Sequence, residues 1–473
     1  MSIAAATRSP GSHTPSVSQR CVWLVLPEPL STRIFFDCGI AQRLRERVGS
    51  AIELFSLLPR EDTAHWVGDQ DFRVLDRHDV LPWSVGLREK VARRIDLVLD
   101  RKVGFYPLAI RLNLRHGFHL ERMRPGHPNY GLDLDRIGPL PRTPRVDAAM
   151  LRWHYGARRW VSRGLLDRMR QDCSAVLFSN VQTHAAVPFL LAARRLRLPT
   201  VGYVASWDHT VGKGVISPYV DRYVVQNEVM REDLVRYHDI ESSRIVVTGW
   251  PQTDVYHRRR PREAYDALLR SYHLFPARPL VLVMGNTPTN APYEERFVDR
   301  VVSWWLEHGG PERFSLLFRP HPRDRDWETR FRAARGREGI HVQEPTFTDL
   351  EVLATLLQHG SCLVSNAGTI LLDGLVNDRP CVCVLYDEGA PPGDSWAAKN
   401  VLGAHYRQLM ESEAFYRAHS FEEVVRGIER ALSDPEELRE ERARVVAEVI
   451  GAVDGRAAER VVAAMLELVP AAA

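Results

Sequence analysis

The sequence predicts an α/β protein made of two Rossmann-like, doubly wound domains facing one another across a cleft. Three observations predict it. Short apolar runs recur along most of the 473 residues, each followed by a loop and a helical pattern, which is the rhythm of parallel strands covered on both faces. The rhythm breaks and restarts around Thr248–Pro261 (TGWPQTDVYHRRRP), where a glycine, two prolines and a charge cluster mark a junction. The length exceeds one ordinary domain and suits two of about 200 residues each.

The elements follow in order. Residues 1–20 are rich in Ser, Thr, Ala and Pro with no apolar core, and read as a loose tail. Residues 21–250 form the first domain. Its strands are expected at Cys21–Leu26 (CVWLVL), Ala51–Leu58, Ser174–Phe178, Thr200–Val204, Arg222–Val225 and Arg244–Thr248, with a helix over His184–Leu196. Pro27, Pro29 and Gly39 point to a loop after the first strand, leading into a helix that ends near Val48. A basic, mostly helical insertion is expected over about 85–171. Residues 251–473 form the second domain, with strands at Pro279–Met284, Phe314–Phe318, Ile340–Gln343, Cys362–Val364 and Pro380–Leu385, and helices from Ser420 to the end.

Composition narrows the function. Hydrophobic residues make up 45% and charged residues 26%, which excludes wholesale disorder. No apolar run reaches the 18 or so residues of a spanning helix, so the chain is expected on the cytoplasmic side. Net charge is +3, but Val85–Gln171 carries 19 basic against 8 acidic residues. That excess suits an anionic ligand or a peripheral contact at the inner membrane face, or simply a solvated arginine face. No nucleic-acid module accompanies it, so nucleic acid is not an expected partner. The six cysteines are scattered without a CxxC pair, which indicates neither a zinc site nor a disulfide framework.

Candidate site residues lie at strand ends. Ser365-Asn366-Ala367-Gly368-Thr369 turns a strand into a helix that carries Asp373. Small residues there let backbone N–H groups approach a phosphate at the positive helix end. Arg319 and His321, enclosed by prolines in Phe318-Arg319-Pro320-His321-Pro322, offer a planar cationic fork and a second donor for a diphosphate. Gly285, Asn286 and Thr287 form a third strand-end loop, and Glu344 ends a fourth strand where it can accept from ribose or a base. In the first domain, Trp207-Asp208-His209-Thr210 and Lys213 follow a strand and are edged by glycines. Asp208 beside His209 is a candidate general base toward an acceptor hydroxyl. Asn180 and His184, after the preceding strand, and Arg33 and Gly39, after the first, are expected on the same acceptor side. For each motif the plainer alternative is a structural turn, a helix cap or a packed aromatic ring.

The order WDHT–VGKG, TGWPQTD, FRPHP and SNAGTILLDGLVNDRPCVCV resembles the GT-B glycosyltransferases. More narrowly, it resembles the branch holding CDP-glycerol glycerophosphotransferases and related surface-polysaccharide transferases. The resemblance implies a nucleotide-sugar donor in the second domain, an acceptor (a glycan, a lipid-linked molecule or a small molecule) in the first, and chemistry between them. It implies that Arg319 and His321 bind the donor phosphate, that Ser365, Gly368 and Thr369 form the phosphate turn, and that Asp373 is the acidic residue of the next helix. Where the glycerophosphotransferases have Trp-His-Gly-Thr with a catalytic His, this chain has Asp208, which favours a sugar donor over polyol phosphate. No cofactor is implied, and no DxD-type metal motif is present, so Arg319 and the helix end are expected to replace a metal. A UDP-sugar 2-epimerase shares the architecture but needs several cleft carboxylates in the first domain, where only Asp37 and Asp208 are candidates. A catalytically silent scaffold on the same fold is the non-enzyme alternative.

Overall fold

The computed structural model describes residues 20–68, 72–75, 161–183, 185–212, 216–366, 368–391, 397, 400–401 and 404–470. Among them, thirteen strands form two sheets, and every pair is parallel. The first sheet runs β3-β2-β1-β4-β5-β6-β7 and the second β10-β9-β8-β11-β12-β13. In each the order reverses beside the first strand of its domain, the switch point at which open α/β sheets leave a crevice.

In the first sheet, β1 is Cys21–Leu26, β2 Ile52–Ser56, β3 Arg73–Leu75, β4 Cys173–Phe178, β5 Thr200–Tyr203, β6 Arg222–Val225 and β7 Ile245–Val247. In the second, β8 is Leu280–Met284, β9 Ser315–Arg319, β10 Ile340–Val342, β11 Cys362–Ser365, β12 Cys381–Val384 and β13 Tyr416–Ala418. The central strands β1, β4, β8 and β11 are buried almost throughout, as continuous apolar runs require in a sheet covered on both faces. The Leu/Val/Cys runs therefore fall where the sequence puts them. The edge strands β3 (RVL) and β13 (YRA) escaped it: each has three residues, one of them arginine, and lacks the apolar run that marks the equally short β7.

One loop becomes a helix. After β1 the chain was expected to loop through Pro29, but Pro29–Asp37 is helical. Glu28, extended, accepts from the Leu30 and Ser31 N–H groups at 2.8 Å each, and Pro29 occupies the first helical position, which needs no N–H donor. Gly39, at φ 73°, then turns the chain into the helix Ile40–Val48.

The chain also crosses back. Helix Ala457–Leu466 packs on helix Ile40–Val48, on β6 and on the junction helix Pro251–His257. The Asp254 carboxylate accepts from the N–H groups of Ala457 and Ala458, at 3.0 and 2.7 Å, so the junction caps the last helix. Among the described residues no helix is long and apolar enough to cross a membrane. The basic segment lies outside the described residues up to position 160, as do His184, Lys213 and residues 1–19.

Candidate active site

The carboxyl ends of the two sheets supply the cleft. On the first-domain side, the loop after β5 is pinned from several directions. Gln182 Nε2 donates to the His209 carbonyl at 2.8 Å, and Thr210 Oγ1 donates to Asp233 at 2.6 Å. His238, 2% exposed, accepts the Ile216 N–H on Nδ1 (3.1 Å) and meets the Thr210 carbonyl with Nε2 (2.7 Å). The first contact fixes the tautomer, with the proton on Nε2.

This anchoring leaves Asp208 half-buried at the loop's edge, its Oδ1 accepting from Ser206 Oγ at 2.6 Å. Its charge acts on Tyr406 of the second domain, whose phenol is raised by burial first and by Asp208 second. Asp208 therefore lies within electrostatic reach of the second domain. Its neighbour Trp207 is 4% exposed and packs edge-on against Trp250, His405 and Tyr406, with centroids 6.1, 4.9 and 5.1 Å away. Trp207, expected on the acceptor side, is a packed ring between the domains.

Two other acceptor-side expectations are revised. Asn180 is 2% exposed and spends its side chain on Glu28 Oε1 (3.3 Å) and the Gln182 N–H (3.1 Å), so it braces the helix cap. Gly39 sits at the far end of the helix Pro29–Asp37, in a groove shared with Asp254 and Arg258, away from the strand ends. Arg33, on that helix, is the one that faces the second domain. Its charge holds down both Asp373 and His321, and its Nε is buried with no hydrogen-bond partner among the described residues.

On the second-domain side, Arg319 is 9% exposed and already spent. Its two Nη atoms grip the Asp349 carboxylate at 2.5 and 2.6 Å, and Nη1 also reaches Gln343 Oε1 at 2.6 Å. The guanidinium expected at the donor phosphate is thus engaged by its own loop, with both Nη atoms on Asp349. His321 does keep a donor. Its Nδ1 accepts the Arg323 N–H at 3.0 Å, which puts the proton on Nε2. Burial first, then Arg323, Arg33 and Arg330, push its pKa down to about 4, so the ring is neutral.

Gly285 is crowded by protein and not opened for a ligand: a Cβ there would lie 3.0 Å from Phe331, and 3.2 Å from both Glu294 and Pro320. The Asn286 N–H and carbonyl both turn inward, to Glu294 Oε1 and to Arg330. Asn366 donates to the carbonyls of Val384 (2.7 Å) and Ala397 (3.0 Å) and accepts from Asn400 (2.6 Å), so its amide ties loops together. Ser365 is buried and leans on the Met284 carbonyl. Asp373, 8% exposed, is raised to about 6 by burial against the pull of Arg33 and of hydrogen bonds with Tyr256 and Gln252. It links its helix to the junction helix through Tyr256 and Gln252. Thr287 and Glu344 stay accessible, with Thr287 Oγ1 paired to Thr289 Oγ1 at 3.0 Å.

What remains is a small candidate corner for an anion. Gly368, at φ 149°, opens the helix Thr369–Val376, which has no side-chain cap and no acidic residue in its first turn. Its first N–H groups and positive dipole end are left for an anion. His321 follows β9 and Gly368 follows β11, with β8 between them. Two strand spacings, about 10 Å, separate those ends, and Arg33 acts from the other domain on His321 in the first loop and on Asp373 in the helix that follows the second. Among the described residues no group of three His, Cys, Asp or Glu side chains is placed to hold a metal ion.

Residues 215–467, more than half of the chain, match the family model described as CDP-glycerol:poly(glycerophosphate) glycerophosphotransferase. The chain belongs to that family. It is a transferase family, and the resemblance is confirmed by a match that spans FRPHP and SNAGT and begins after WDHT. Similar solved structures include UDP-GlcNAc 2-epimerase from Neisseria meningitidis bound to UDP-GlcNAc, at 10% identity and TM-score 0.54, over 95% of this chain and 100% of the other. S. aureus MnaA with UDP gives 11% identity and TM-score 0.53, over 94% and 96%. A glycosyltransferase from Rickettsia africae gives 9% and 0.50, over 95% and 99%. At such identities the likeness carries the fold alone, and the fold is GT-B. No curated protein matches the sequence.

Sequence reasoning missed the residues that hold the site together: Asp349 and Gln343 around Arg319, Glu294, Asp324 and Arg330 behind Asn286, and His238 behind the WDHT loop. All but Gln343 are ionisable residues that, in sequence, read as ordinary exposed side chains of loops and amphipathic helices. The one available signal was their excess over what a solvated face needs, and that signal is weak.

Proposed function

We propose that the protein transfers a sugar from a nucleotide-sugar donor to an acceptor hydroxyl in the synthesis of a cell-surface polymer. The observation that carries this is the uncapped helix end at Gly368–Thr369, with the His321 Nε2–H and Arg33 as further donors for a diphosphate. Asp208 takes the proton from the acceptor hydroxyl as its oxygen attacks the anomeric carbon. The bond from that carbon to the diphosphate oxygen breaks. The charge that develops on the leaving nucleoside diphosphate is met by the helix N–H groups, Arg33 and His321. These groups do the work of a divalent ion, so transfer proceeds without one. A lipid-linked acceptor would bring the basic stretch 85–171 to an anionic membrane surface.

The family match favours a second reading, transfer of a polyol phosphate from a CDP-activated donor, in which the acceptor attacks phosphorus and the phosphoanhydride breaks. The two differ in their by-product. Sugar transfer releases a nucleoside diphosphate and polyol-phosphate transfer a monophosphate. Incubation with UDP-, GDP-, TDP- and CDP-linked sugars and with CDP-glycerol, in buffer with EDTA, followed by chromatography of the nucleotides, decides between them. Release of UDP, GDP, TDP or CDP supports the first reading, and release of CMP from CDP-glycerol alone supports the second. No turnover of any donor, with no thermal stabilisation by any nucleotide, supports a scaffold.

A further inference from the structure

Behind the candidate anion corner lies a buried ionic knot that no motif touches. Arg330, 8% exposed, ends the helix Trp327–Arg330. Its Nη2 donates to Glu294 Oε2 at 2.7 Å and to the Ala291 carbonyl at 2.8 Å. Its Nη1 donates to the Asn286 carbonyl at 3.2 Å and to Asp324 Oδ2. Glu294 Oε1 accepts the Asn286 N–H at 2.8 Å, so Asn286 of the β8 loop is held through both its backbone N–H and its carbonyl. Asp324, 3% exposed, has its own N–H on the His321 carbonyl at 2.8 Å. One guanidinium thus ties the loop after β8 to the turn that presents His321.

A buried cluster of one cation and two carboxylates is costly to desolvate and contributes little net stability over apolar packing of the same volume. What such a cluster does supply is a fixed geometry, because each partner is lost if another moves. We infer that Arg330 is a positioning residue that fixes the His321 turn against the Asn286 loop, so that His321 Nε2–H is aimed at the donor's diphosphate before the donor arrives. The aim of His321 toward a diphosphate rests on the proposed function. The mechanical link from Arg330 to His321 does not. Burial and the neighbouring charges of Arg323, Arg33 and Arg330 together keep the His321 ring neutral, and all depend on where the turn sits.

Two variants test this on the full-length protein. Arg330→Lys keeps the charge but lacks the fork that reaches both loops, and Asp324→Asn weakens only the arm toward His321. In each, the His321 ring is followed by NMR as pH is varied, and UDP, CDP and GDP are titrated separately by calorimetry. The expected result is a His321 titration that climbs from about 4 toward the ordinary histidine value, with nucleotide affinity lower by roughly 10- to 100-fold. His321→Gln alone should lose most of that affinity, and adding Arg330→Lys to it should cost little more. An unchanged His321 titration in a folded Arg330→Lys or Asp324→Asn protein overturns the inference, whatever binds. A moved titration with no nucleotide bound by the wild type supports the positioning link and counts against the functional reading.

Discussion

Arg319 and Asp349 meet as a two-pronged ion pair, Nη1 to Oδ2 at 2.5 Å and Nη2 to Oδ1 at 2.6 Å, with both side chains only 10% exposed. Gln343 completes the arrangement by bridging the two, accepting from Arg319 and donating to Asp349 at 2.7 Å. The arginine of the FRPHP motif therefore holds the loop after β10 against the end of β9. The histidine two residues on is the one left facing the cleft.

Arg319→Ala should act on stability before it acts on binding. Removing one partner strands a buried carboxylate, a loss of about 3–5 kcal/mol, read as a lower urea midpoint with an unchanged slope. A variant that keeps its midpoint but loses nucleotide affinity would return Arg319 to the ligand.

Arg33→Gln should do the opposite. The residue is half-buried on its helix, and losing a charge-assisted contact to a diphosphate weakens nucleotide binding roughly 10-fold or more. The wild type's affinity should fall as salt rises, and the variant's should fall less. Equal affinity and equal salt dependence in calorimetry would remove Arg33 from the site.

Asp208→Asn should lower turnover by about 100- to 10,000-fold while donor affinity stays nearly intact, since the donor is held on the opposite domain. His209→Ala is the control. If it abolishes transfer and Asp208→Asn costs only a few-fold, histidine is the base and aspartate orients it. Full activity in both would leave the WDHT loop structural.

The pH dependence of stability carries a signature of His321. Its pKa falls on folding from 6.5 to about 4, so between those values the unfolded chain binds the extra proton and stability rises with pH. The contribution is complete above about 6.5 and lost as pH drops toward 4. Asp373, raised from 3.8 to about 6, works in the other direction, with stability falling as pH climbs through that window. Subtracting the profile of His321→Gln from that of the wild type isolates the rising limb, and a flat difference between pH 4 and 6.5 would show that the ring is not held neutral by the fold.

The architecture was legible because it rests on long-range repetition. Runs such as LVLVM and CLVS are apolar on both faces, and nothing but a doubly covered parallel strand accommodates them. The site was legible only as a set of loops. Sequence puts Arg319, His321, Asn286 and Asn366 at strand ends, and there they are, but whether a side chain at a strand end points to a ligand or to a neighbour depends on partners far away in the chain. Asp349 lies 30 residues from Arg319, and Glu294 36 residues from Arg330. Pro29 shows the same limit at short range. Read alone it breaks a helix, and only the Glu28 carboxylate before it turns it into a helix start.

The return of the last helix has a practical consequence for dissecting the molecule. Asp254 caps Ala457–Leu466 with both carboxylate oxygens, Asn227 donates to the Val449 carbonyl at 2.6 Å, and Arg222 pairs with Glu467 at 2.7 Å. A fragment cut at residue 250 therefore uncovers an apolar flank of the first sheet, and in the complementary fragment the helix Ala457–Leu466 keeps its cap on Asp254 but loses its seat on Ile40–Val48 and β6. The two lobes are two in architecture but share one fate in biosynthesis: during translation the first cannot finish its surface until the segment from Val449 to Glu467 has been made.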